Sequence, residues 1–216
     1  MLLKEIAYDI LETIRHAHLV DDDDIDKRLI YNWIHNQRAL WIKRKLDAGF
    51  YKDVNLLQEY VYTLEIVDTS TVYNSYAKIQ RTTIDTPAFI ELKFGNTLSE
   101  VSSPDLMYQP FSVVGFDALR YSGNRDFITN EIFAAERDNK IWIKYGKGHI
   151  SPFTIKKISV QGILQDPTQL PGFVIATSTY PINRSIIDFM KDAIINSNLR
   201  TVLSTQADVV NDGKGQ

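Results

Sequence analysis

The residues that could do chemistry fall into three groups: an acidic run, scattered histidines and a basic cluster. The acidic run is Asp21-Asp22-Asp23-Asp24-Ile25-Asp26. Asp22, Asp24 and Asp26 match the first, third and fifth ligand positions of a calcium-binding helix–loop–helix, where alternate carboxylates wrap one cation. The sixth position, however, is Lys27, where the loop needs glycine to turn. The twelfth is Trp33, where the ion needs a bidentate glutamate. The run therefore reads as a solvated turn feeding a helix N-terminus, whose partial positive charge favours carboxylates. The 4 histidines do not assemble a metal site. His16 and His18 point roughly 200° apart around a helix, His35 belongs to a second helix and His149 follows a glycine turn. Tyr145-Gly146-Lys147-Gly148-His149 has the composition of a phosphate loop, but such a loop needs Gly-x-x-x-x-Gly-Lys-Ser/Thr between a strand and a helix. Here another strand follows. Neither a Gly-x-Ser-x-Gly elbow nor a His-Glu-x-x-His helix occurs. With no cysteine there is no thiolate metal site, no disulfide framework and no cysteine nucleophile. No catalytic residue, metal ligand or cofactor is assigned, and the chain is expected not to be an enzyme. Carboxylates brought together from separate strands, as in a glycosidase, leave a hydrolase as an open alternative.

The basic cluster is Arg38, Lys43, Arg44 and Lys45, beside Trp33 and Trp41. It is either a solvated helix end or a charged contact surface for a partner protein or for passing DNA. Arg38 and Lys45 lie two helical turns apart on one face, while Lys43 and Arg44 point elsewhere. The chain as a whole carries a net charge of −3, so it has no basic footprint for stable nucleic-acid binding. Its 216 residues, 44% hydrophobic and 24% charged, have the composition of a compact globular protein. Lys4, Glu5, Asp9 and Glu12 break up any signal-like apolar run at the start, and no stretch has the apolar length to span a membrane. A reducing, cytoplasm-like compartment is the expectation.

The elements that must position these groups follow from periodicity. Leu3, Ile6, Ala7, Ile10, Leu11, Ile14 and Ala17 form one stripe of an amphipathic helix. A second helix runs to Leu46 with Ile30, Trp33, Ile34, Leu40 and Trp41 on its apolar side, and Gly49 stops it. The short acidic linker predicts that the two form an antiparallel hairpin. Beyond residue 50 the period shortens to that of strands. Tyr60, Tyr62, Leu64 and Ile66 share one phase, and further strands are expected at 77–82, 88–94, 111–114, 131–136, 140–145 and 154–164. Arg137-Asp138-Asn139-Lys140 is a tight-turn sequence that predicts a hairpin over 131–145. Helical periodicity returns after Pro181 with Ile182, Ile186, Phe189, Met190, Ala193, Ile194 and Leu199. The resulting expectation is an α+β fold. An N-terminal helical hairpin and a C-terminal helix (1–50 plus 181–203) form a helical bundle, residues 51–180 are a central antiparallel β insertion, and residues 204–216 are an extended tail.

The second helix carries a resemblance. Its acidic start and the pattern Leu29-Ile30-x-x-Trp33-Ile34-x-x-x-Arg38-Ala39-Leu40 are similar to virion proteins of short-tailed, crAss-like bacteriophages, and Asp208 to Gln216 resembles their Asp/Asn-rich tails. The resemblance implies a head–tail connector or tail ring (adaptor) protein that works through assembly. Its expected partners are further copies in a dodecameric ring, the portal protein, other tail proteins and transiently double-stranded DNA. No membrane partner is expected. The expected place is the virion neck or tail, after assembly in the host cytoplasm. The expected contact residues are Arg38, Lys43, Arg44 and Lys45, with Asp208, Val209, Val210, Asn211 and Asp212 of the tail. The alternative is a monomeric carbohydrate- or protein-binding module that uses aromatics of the β region.

Overall fold

A computed structural model describes residues 1–17, 26–50, 52–67, 79–105, 107–122, 130–149 and 154–199. The chain divides into two compact units. A helical unit comprises Met1–Leu56, Gln165–Thr168 and the chain from Gly172 onward, and a sheet unit comprises Leu57–Leu164 with Gln169–Pro171.

The sheet unit holds seven strands. They are β1 (Gln58–Ile66), β2 (Ile79–Thr82), β3 (Leu98–Ser102), β4 (Ser112–Val113), β5 (Ile132–Arg137), β6 (Lys140–Tyr145) and β7 (Lys157–Gly162). Their spatial order is β3-β7-β1-β2-β6-β5-β4. All neighbours are antiparallel except β4 and β5, which are parallel. The two ends of this order approach each other: the Phe111 amide, one residue before β4, donates to the Val101 carbonyl of β3 at 2.8 Å. The sheet is thus a nearly closed barrel, which leaves little exposed strand edge.

Alternation explains which face fills it. Ile132 and Ala134 of β5, Ile141, Ile143 and Tyr145 of β6, and Ile158 and Val160 of β7 join Tyr62, Leu64, Val101 and Phe111 in one buried cluster. The other faces of β5 and β6 place Phe133, Ala135 and Trp142 in a second cluster with Leu119. Both faces of these strands are therefore buried, and a short helix α3 (Phe116–Leu119) covers the outer one. The Lys144 ammonium fixes that helix by donating to the carbonyls of Leu119, Arg120 and Ser122 at 2.8–3.0 Å. The expected hairpin is present, with Arg137 opposite Lys140. Asp138 and Asn139 have φ of 52° and 56°, the left-handed pair that a two-residue turn needs.

In the helical unit, α1 (Leu3–Ala17) and α2 (Lys27–Asp47) precede the sheet, and α4 (Arg184–Ala193) follows it. The expected stripe of α1 is buried from Leu3 to Ile14. Asp26 caps α2, its carboxylate accepting from the Arg28 amide at 3.0 Å. At the other end Gly49, with φ 86°, lets its own amide reach Leu46 and that of Phe50 reach Lys45, so the last carbonyls are satisfied. The acidic residues Asp21 to Asp24 and the linker lie outside the described residues.

The expected α+β fold framed by a helical bundle, with a wholly antiparallel β region, is overturned. The protein is mainly a seven-stranded mixed sheet, and its helices are short. The last helix, α4 with its 10 residues continued by a six-residue π-helix (Ile194–Leu199), is shorter than the 21-residue α2, and helices alone do not close the cluster. Non-helical chain completes the apolar cluster of α1, α2 and α4: Phe173, Tyr180 and Ile182 pack into it, and Leu2 bridges to Thr179. The strand expected at 88–94 is also corrected, because Phe89 and Glu91 form only isolated bridges there.

Candidate functional site

The only cation of the expected contact set that is fully enclosed is Arg38, with 0% of its surface exposed. It sits on α2 one turn beyond His35, which is also buried, so both point into the interior beside the apolar face. The Arg38 Nε donates to the Pro181 carbonyl at 2.7 Å, and its guanidinium lies 5.6 Å from the centre of the Tyr180 ring. The Tyr180 hydroxyl meets the Nδ1 of His35 at 2.8 Å. On the other side of the imidazole, Nε2 lies 3.5 Å from the Asp166 carboxylate. That carboxylate is itself held by the amide and hydroxyl of Thr168, at 2.9 and 2.7 Å. An arrangement in which Tyr180 donates to Nδ1 and the Nε2 proton faces Asp166 satisfies all three groups.

The electrostatics follow from burial. Desolvation lowers the His35 pKa, Asp166 opposes that fall and Arg38 adds to it, so His35 is neutral at neutral pH. Desolvation also lowers the Arg38 pKa, against the raising influence of Tyr180 and Asp166, and it raises the Tyr180 pKa. The network therefore joins α2 to the segment at Asp166 and to the chain leading into α4. A histidine beside a carboxylate and a tyrosine has the composition of an acid–base site. Here its groups are bound to one another, and His35 and Arg38 are 6% and 0% exposed. The arrangement clamps the helical unit.

The other three cations of the expected contact set lie toward the end of α2. Lys43 is half-buried, while Arg44 and Lys45 are exposed in the last turn, where cations complement the helix dipole. The Lys45 ammonium stands 4.5 Å from the Phe50 ring centre and 5.5 Å from that of Trp41. Leu40 and Phe50 are exposed nearby, at 47% and 59%. Arg38 is thus separated from the others: it is packed inside, Arg44 and Lys45 face outward and Lys43 is half-buried. Asp208, Val209, Val210, Asn211 and Asp212 lie outside the described residues. Trp33, the twelfth position of the calcium-loop alignment, is buried in the helical core. Among the described residues no cluster of histidines and carboxylates has metal-binding geometry. His149 packs between Tyr145 and Tyr108, and its amide closes the glycine turn onto Gly146.

Sequence reasoning missed His35, Tyr180 and Asp166 as partners of Arg38. The available signal was a histidine and an arginine three residues apart on the same side of α2 as Ile34 and Ile42. That placement predicts burial of both.

The buried set thus holds the helical unit together, and the end of α2 beside it carries exposed charge. The chain belongs to the family described as Phage tail ring protein 2, of crAss-like phages, which matches residues 5–216. No curated protein matches the sequence significantly. The family makes this a structural component of the virion tail that assembles with other tail proteins. No helix among the described residues is long and apolar enough to cross a membrane.

Proposed function

We propose that the protein closes a ring of twelve copies in the phage neck or tail below the portal protein, joining head to tail and lining the channel through which DNA leaves. The observation that carries this reading is the family match over almost the whole chain. A closed ring repeats one head-to-tail interface, so each subunit needs two different contact surfaces. The end of α2 supplies one candidate, with Arg44 and Lys45 exposed beside Leu40 and Phe50. The tail from Ser204 onward, with Asp208 to Asp212, supplies the other as an arm that reaches a neighbour or the adjoining ring. Arg38 serves this surface indirectly, by fixing α2 from within. A net charge of −3 suits a DNA conduit, because a strongly basic wall would hold the genome by counterion release.

The test is truncation. A chain lacking residues 205–216 is expected to fold, by circular dichroism, and to dock poorly on its partner ring in particle reconstitution. Normal particle assembly by the truncated chain would remove the tail from the proposal. Light scattering on the full chain, alone and with the portal and neighbouring tail proteins, tests ring closure directly.

A further inference from the structure

The most exposed large apolar side chain among the described residues is Phe94, with 86% of its surface in solvent. It stands at the tip of a tight turn, where Gly95 takes φ 86° and the Leu92 amide donates to the Gly95 carbonyl at 2.9 Å. The base of this turn is held firmly. Glu91 bridges to Asn96, the Asn96 side chain accepts from the Leu98 amide at 3.1 Å, and its NH₂ donates to Glu136 on β5. A phenylalanine carried on a fixed stalk loses little freedom on binding, which is how interface anchors gain affinity. Elsewhere in the chain lies a groove of about 400 Å³ between α1 and the start of α2. Ala7 and Leu11 form its floor, Tyr8 and Tyr31 its walls, and Lys4, Glu5 and Lys27 its rim.

We propose that Phe94 of one copy inserts into the Ala7–Leu11 groove of the next copy, anchoring the repeated interface of the ring. Shape and charge both favour a second copy as the occupant. The knob is convex and apolar, and the groove is concave with an apolar floor. The knob is flanked by Glu91 and Lys93, and the rim offers Lys4 and Lys27 for the first and Glu5 for the second. Knob and groove are different surfaces of one chain, as a heterologous interface requires. This inference rests on the ring reading above and adds the residues that make the contact.

The absence of native cysteine gives a clean cross-linking test. A Lys93→Cys chain and a Lys4→Cys chain are co-expressed, assembled and treated with a short bismaleimide. The expected result is a covalent adduct between the two chains that neither variant forms alone. Adding Phe94→Asp to the Lys93→Cys chain is expected to abolish the adduct while the circular dichroism spectrum is unchanged. Persistence of the adduct with Phe94→Asp overturns the proposal, as does equal cross-linking of Lys93→Cys chains to one another. A lysine-reactive cross-linker run in parallel separates the two levels. A ladder of multimers without the adduct overturns the knob and leaves the ring, and neither ladder nor adduct overturns both.

Discussion

Inside the sheet unit, the main buried cluster across β1, β5, β6 and β7 is aliphatic and aromatic, and the buried Gln80 beside it pairs with neutral groups. The Tyr145 hydroxyl donates to the Gln80 side chain at 2.6 Å, and that side chain donates in turn to the Ile155 carbonyl. The helical unit instead encloses a guanidinium and an imidazole. The difference follows from how each unit closes. A nearly complete barrel satisfies its backbone through its own ladder, so its interior needs only volume. Helices satisfy their backbones internally, and the chain at 165–168 and 180–182 has only a 3-10 turn and the isolated Leu2–Thr179 bridge beside it. Side-chain donors on α2 therefore reach out to its carbonyls and carboxylate. Removing one partner of such a buried network leaves the others unpaired, so the two units should differ in how much a substitution costs and in the sign of their response to pH.

The largest effect should come from Arg38→Ala. It strands the Pro181 carbonyl, opens a void beside Tyr180, and should destabilise by about 3–5 kcal/mol. Urea unfolding followed through Trp33 and Trp41 is the measurement; a loss under about 1 kcal/mol would mean that the clamp is ornamental.

Acid should act on the same network. The folded-state pKa of His35 lies below 6.5, so the unfolded chain binds the proton more readily. This group's contribution is intact above 6.5 and is lost as pH falls below it. Glu136 in the sheet unit has the opposite sign. Its folded pKa is raised above 4.5, so its contribution is present in acid and lost as pH rises through the folded value. Mild acid is thus expected to loosen the surroundings of Trp33 before those of Trp142. His35→Asn should remove that difference, which single-tryptophan variants resolve by fluorescence.

Gly162→Ala probes the sheet. An added Cβ would stand 2.6 and 2.9 Å from ring carbons of Phe89 and 3.1 Å from the Thr97 carbonyl. Thr97 cannot yield freely, since its hydroxyl accepts from the Ile90 amide and donates to the Ile163 carbonyl. The expected loss is about 1–3 kcal/mol, and Phe89→Leu in the same chain should recover part of it.

The stripe of α1 and the β5–β6 hairpin were legible because each is encoded within a dozen or so neighbouring residues. The sheet order was not, since β1 pairs with β7 through contacts such as Tyr62 with Ile158, and no local pattern records such a pairing. The parallel contact of β4 with β5, two residues long, left no periodic trace. Arg38 was legible as a charge and illegible as a buried one. Reading it correctly required knowing that the chain returns at Pro181 to present a carbonyl. The knob at Phe94 lay inside a run that reads as strand, and only the pairing shows that the run turns back at Gly95.

The smallest effect sharpens the comparison at the β5–β6 turn, where, among the described residues, the non-glycine residues with positive φ lie. Asp138 and Asn139 both occupy the left-handed region, which asparagine tolerates and glycine adopts without penalty. Asn139→Gly removes the steric cost of φ 56° but frees the unfolded backbone, so the two terms oppose and the gain should stay below about 1 kcal/mol. Asn139→Ala keeps the Cβ and loses the tolerance, and should destabilise by about 1 kcal/mol. The Asn139 carbonyl also accepts from the amide and hydroxyl of Thr86, at 2.6 and 3.0 Å, so the turn anchors a loop as well as a hairpin. Thermal unfolding of the pair, read at Trp142 beside the hairpin, is the check. Equal melting temperatures for the glycine and alanine variants would show that the Thr86 bonds, rather than the turn backbone, hold β5 and β6 in register.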